Sequence, residues 1–142
     1  MSVSFFEQNV KARFKDKRRL SGFIQNQVTT HLPHLKAMSL TYVFCGDEFL
    51  LHINQQYLNH DTLTDIITFD LSDNKNELLG EIYVSVERVK ENAALFGVPY
   101  QEELHRVIFH GALHLCGFKD KNEAERKLMR SKENEWLQMY HS

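Results

Sequence analysis

Little in this sequence could staple, anchor or loosen the chain. Its two cysteines, Cys45 and Cys116, stand far apart, too few for a disulfide framework, and read as reduced thiols of a cytoplasmic protein. No apolar run approaches the ~20 residues that a membrane helix needs, so no membrane partner is expected. The opening MSVSFFEQNVKARFKD lacks the apolar core of a signal peptide. There are two prolines and six scattered glycines, with no Pro/Gly-rich linker, repeat or low-complexity stretch to divide the chain. What remains is one domain over residues 1–142, a length that fits a single core without staples. With 42% apolar and 25% charged residues, the mix is that of an ordinary globule, not a disordered chain.

A large excess of positive charge is also missing, since the net charge is −2. The molecule as a whole therefore does not declare a polyanion partner. Cations are dense in one place only: Lys11, Arg13, Lys15, Lys17, Arg18 and Arg19. Such a run can track phosphates, and it can equally be the solvated start of a helix.

Periodicity supplies the elements. Residues 2–6, 36–44, 64–71 and 79–84 read as strands, with Met38, Leu40, Tyr42 and Phe44 pointing one way. Residues 72–77 join the last two strands as a hairpin loop. Helices fit 16–31 (Leu20, Phe23, Ile24, Gln27 and Val28 on one face), 48–58, 86–96, 99–116 and 122–140. Asp47 and Ser85 are placed to cap the second and third helices. Phe49, Leu50, Ile53 and Tyr57 share one face of the second, and Leu128, Trp136 and Leu137 mark the last. The order is β-α-β-α-β-β-α-α-α, an α+β domain with a small mixed four-stranded sheet packed with about five helices.

Chemistry concentrates in HGALHLCGFKDK, residues 110–121. His110 and His114 are four apart on a helix, so their imidazoles share a face. Gly117 ends the helix and lets the chain turn, which can bring Asp120 to the same ion. Two imidazoles, a carboxylate and an open position make a catalytic zinc site. Val107, Ile108, Leu113 and Leu115 imply a buried helix, in which imidazoles need partners. Satisfied core histidines are the other reading of the same spacing. Cys116 is a rival third ligand, or a small buried apolar side chain. The position after His110 is Gly111, so the glutamate base of the His-Glu-x-x-His peptidases is absent.

A second cluster lies in NQQYLNHDTLTDIITFD, residues 54–70. Asn59 and Asp61 suit a turn, whereas Asp65 is unusual on a strand and can orient a group of a site. His60 and Asp65 are the candidate catalytic residues, and Glu81 is a further candidate for a general base.

The run HGALHLCGF resembles the His-Gly-x-Leu-His-Leu-x-Gly-Tyr signature of the YbeY family of bacterial endoribonucleases, also described as rRNA maturation factors. The block from Ile53 to Asp70 and the segment LGEIYVS are similar to further family motifs in the same order. The resemblance implies an α+β fold, one Zn2+ per chain and cleavage of single-stranded RNA. It also implies processing of the 3′ end of 16S rRNA, ribosome quality control, and the small ribosomal subunit as partner. Three departures stand out. Asp120 occupies the place of the family's third histidine, and as a carboxylate should make bound water a weaker acid. Leu58 replaces an arginine linked to cleavage, with His60 two residues on, and Leu63 replaces a proline.

The expected metal ligands are thus His110, His114 and Asp120, and the expected RNA contacts are Lys17, Arg18, Arg19, Lys119 and Lys121. The alternatives are a ribosome assembly factor with a structural metal, and a metal-dependent hydrolase of another substrate.

Overall fold

A computed structural model describes residues 1–58 and 64–142. Strands β1 (Ser2–Glu7), β2 (Ala37–Cys45), β3 (Ile66–Asp70) and β4 (Glu77–Ser85) form one sheet in the order β1-β2-β4-β3. β1 and β4 run parallel to β2, and β3 runs antiparallel to β4. A parallel pair needs a crossover, which α1 (Lys17–His31) supplies between β1 and β2. The remaining helices are α2 (Asp47–Leu58), α3 (Val86–Phe96), α4 (Tyr100–Leu115) and α5 (Glu123–Tyr140). This is the expected mixed four-stranded α+β domain with five helices among the described residues.

The sheet is sided because its side chains alternate. Met38, Leu40, Tyr42 and Phe44 of β2, with Leu78, Ile82 and Val84 of β4, enter the main core beneath α1 and α4. Cys45 and Ile67 join Leu50 and Ile53 of α2 in a smaller cluster. α4 is the most enclosed helix, with Leu104, Ile108, Phe109, Ala112 and Leu113 all fully buried.

It approaches the sheet at Gly111. A β-carbon there would meet Ile82 Cγ2 at 2.9 Å and Ile66 Cδ1 at 3.1 Å. Gly111 therefore serves close packing, and no glutamate could occupy its place unless Ile82 and Ile66 or the helix moved.

Several boundaries differ from the sequence reading. β3 ends at Asp70 and β4 begins at Glu77, which moves the hairpin loop to residues 71–76, and β3 begins at Ile66, which leaves Asp65 just ahead of the strand. Asp47 is the first residue of α2, and its carboxylate turns away to accept from Ser85 Oγ (2.6 Å) and Arg88 Nε (3.0 Å). Ser85 caps α3 as expected, accepting from the Arg88 amide at 3.2 Å. Leu128 is 51% exposed, and Met129 is the buried residue there. Tyr57 is 67% exposed, touching the Phe69 ring. Asn59, His60, Asp61 and Leu63 lie outside the described residues.

Candidate functional site

α4 presents Glu103, Arg106, His110 and His114 along one side, at steps of three and four residues that stack on a helix face. All four line a cleft of about 920 Å³. Gly117, at φ 104°, turns the chain behind α4, and its amide and that of Phe118 close on the carbonyls of His114 and Leu113. The turn carries Asp120 back over the cleft. Asn122 then caps α5, accepting from the Glu125 amide at 2.8 Å, so that Arg126, Arg130 and Glu133 also face the cleft. Asp65 and Leu58 complete the side nearest β3.

His110 is the centre of the arrangement. Its Nε2 lies 3.3 Å from Asp120 Oδ2, and its Nδ1 lies 2.7 Å from Glu133 Oε2. The ring centre of His114 is 6.4 Å from that of His110. The helix is buried as expected, but the two cleft imidazoles are not: His110 keeps 22% of its side chain exposed and His114 is exposed. Burial alone would lower the pKa of His110. The hydrogen bond and charge of Glu133, aided by Asp120 and Asp65, outweigh it and raise the value. Burial raises the pKa of Asp65 and of Glu103 in the same cleft.

Among the described residues no three His, Cys, Asp or Glu side chains converge closely enough to outline an ion. The donor chemistry nonetheless fits one. Two ligands on a tetrahedral zinc lie roughly 3.3 Å apart, the separation of His110 Nε2 and Asp120 Oδ2. Cys116 does not line the cleft. It packs against the main core, and burial pushes its thiol up to about 12, so it is not the third ligand this geometry favours.

The expected RNA contacts fall in different places. Lys121 lines the cleft, and Lys119 is exposed but does not. Lys17, Arg18 and Arg19 are also absent from the cleft. The Arg19 guanidinium sits 4.1 Å over the Tyr140 ring and donates to the Tyr140 carbonyl, and the Lys17 ammonium lies 5.4 Å from the Phe14 ring. Tyr140 is ten residues along α5 from Arg130, a helical rise of about 15 Å. Glu81 is likewise outside the cleft and accepts from the Tyr83 hydroxyl at 3.0 Å. Sequence reading missed Arg106, Arg126, Arg130 and Glu133. The available signal was their helical spacing on α4 and α5, which places them on the faces that carry His110 and Met129.

An α+β domain with an imidazole–carboxylate cleft ringed by arginines is the frame of a hydrolase that handles an anionic substrate. The family model described as Endoribonuclease YbeY matches residues 4–141, and the chain belongs to the YbeY endoribonuclease family. Endoribonuclease YbeY of Christiangramia forsetii is 45% identical over 141 residues, covering 98% of this chain and 94% of that protein. The Flavobacterium psychrophilum protein of the same name is 60% identical over 102 residues, 72% of each chain. The solution structure of a Thermotoga maritima protein covers 97% of this chain and 88% of its own, with 25% identity and a TM-score of 0.59.

Proposed function

We propose that this protein is a cytoplasmic, zinc-dependent endoribonuclease that cuts single-stranded RNA. Its substrate would be ribosomal RNA at the 3′ end of the 16S species, on or near the small ribosomal subunit. The observation that carries the reading is the pairing of His110 Nε2 with Asp120 at 3.3 Å at the centre of the cleft. His110, His114 and Asp120 would hold the ion. A bound zinc supplies Lewis acidity at a phosphoryl oxygen and lowers the pKa of water. Asp65, which also lines the cleft, would act as a proton acceptor, and His60 is the other candidate catalytic residue, lying outside the described residues.

Phosphates would be held by Lys121, Arg126 and Arg130, exposed cations that line the cleft. Phe96 also lines it and is 54% exposed. A bare aromatic ring in a cleft that also holds cations suits an unpaired base, because stacking needs a base free of its helix. No helix among the described residues is long and apolar enough to cross a membrane.

The test uses purified protein, end-labelled single-stranded and duplex RNA, and a chelator. Cleavage of the single strand that stops with chelator and returns with zinc supports the reading. Cleavage that ignores chelator, or none under any condition, would remove it.

A further inference from the structure

We infer that Glu133 is the positioning residue of the cleft: it holds His110 with the proton on Nδ1, so that Nε2 faces Asp120 with a bare lone pair for a divalent cation. The inference rests on the reading of the cleft as a metal site and names the residue that prepares it.

Glu133 is buried, with only 6% of its surface exposed. A carboxylate is seldom placed there without partners. Its two oxygens are divided between two of them. Oε1 pairs with Arg106 Nη1 at 3.0 Å, and Oε2 meets His110 Nδ1 at 2.7 Å. Arg106 is itself braced, donating from Nη2 to Asn134 Oδ1 at 2.7 Å. The guanidinium thus fixes the carboxylate, and the carboxylate fixes the ring.

An ionised carboxylate only accepts hydrogen bonds. The bond to Nδ1 therefore carries the imidazole proton, and a neutral ring must then leave Nε2 without one. Nε2 is the nitrogen that faces Asp120. A ligand histidine whose other nitrogen donates to a carboxylate is better oriented and more basic, and removing such a partner typically lowers metal affinity 10–100-fold. The competing explanation is that Glu133 merely fastens α5 to α4 through Arg106. That role would show in stability and would leave the imidazole tautomer as it is.

The experiment compares wild type, Glu133→Met and Glu133→Gln as full-length chains. Nitrogen-15 NMR of the metal-free proteins at a pH of about 9, above the ordinary imidazole range, reads the His110 tautomer. Competition with a chromophoric chelator reads the zinc dissociation constant. Wild type should show the Nδ1–H form of His110. Glu133→Met, which has no oxygen acceptor, should populate the Nε2–H form and bind zinc 10–100-fold more weakly. Glu133→Gln keeps an acceptor oxygen, so it should keep the tautomer and lose only several-fold in affinity.

An unchanged tautomer and a dissociation constant within about twofold in Glu133→Met would overturn the inference. If Glu133→Met does not fold, Glu133→Gln decides: zinc affinity equal to wild type would overturn it, and a loss with the tautomer retained would support it. The tautomer is read without metal. Failure of wild type to bind zinc would therefore end the metal reading while leaving the role of Glu133 to be judged by the spectrum.

Discussion

The hydroxyl of Tyr42 donates to the carbonyl of Ile108 across 2.7 Å, tying the interior strand β2 to α4 two residues before His110. Tyr42 is fully buried and burial raises its pKa, so it stays a neutral donor. The bond restrains rotation of α4 about its own axis and thus the direction in which His110 points. Tyr42→Phe should lower stability by about 1 kcal/mol, read from urea denaturation, with zinc stoichiometry unchanged. Unaltered stability would show that the tether carries nothing.

Gly111 allows α4 to lie on Ile82 and Ile66. Gly111→Ala forces those side chains or the helix to move and should destabilise the fold by about 1–3 kcal/mol. Because the shift falls next to His110, zinc affinity should fall with it. A variant as stable as wild type would mean that Ile82 repacks freely.

Asp120 lines the cleft, whereas Cys116 packs against the main core. Asp120→Ala should weaken zinc binding far more than Cys116→Ala, and Asp120→His should be tolerated, since imidazole also suits zinc. The reverse order in a chelator competition would replace Asp120 by Cys116 as ligand.

RNA affinity should depend on the cations of the cleft. The pair Arg126→Glu and Arg130→Glu should weaken single-stranded RNA binding and flatten its salt dependence, because fewer counterions are released. Lys17→Glu with Arg18→Glu tests the distant run without disturbing Arg19 on Tyr140. Binding measured at two salt concentrations separates them. A larger loss from the second pair would move the RNA path to α1.

Acid should weaken the fold through His105. Burial, then the charges of His141 and Arg19, lower its pKa from 6.5 to about 4. The unfolded chain binds the proton first as pH falls. The contribution is therefore present above pH 6.5 and lost as pH approaches 4, at most on the order of 3 kcal/mol. His105→Phe keeps a ring against Phe109 and should flatten that part of the pH–stability curve. An equally steep curve would assign acid sensitivity to another group.

The architecture was legible because its elements carry clean periods. The alternation Met38, Leu40, Tyr42, Phe44 and the cap at Ser85 mark boundaries by local chemistry alone. His110, His114 and Asp120 were legible as a set because one helix turn and one glycine connect them. Glu133 was not. It lies 23 residues from His110, and nothing local says that α5 returns its face to α4. The basic run lies away from the cleft for a related reason: density along a chain is not proximity in space. Arg19 spends its charge on Tyr140, while Arg126 and Arg130, spaced among acidic neighbours, reach the cleft. Gly111 was read for the base it lacks, and its steric role needed the sheet beneath it.

The strand order β1-β2-β4-β3 also dictates when this protein can fold during synthesis. Chains emerge from the ribosome N-terminus first. β1 has no partner until β2 is made, and β2 keeps an open edge until β4 appears after a further helix and strand. Through that interval Leu40, Tyr42 and Phe44 have neither β4 nor α4 to cover them. Pairing between distant parallel strands is slow, so the nascent chain carries its stickiest surface from the completion of β2 until α4 has been made. It becomes a closed domain only when the segment that bears His110 arrives to roof the sheet.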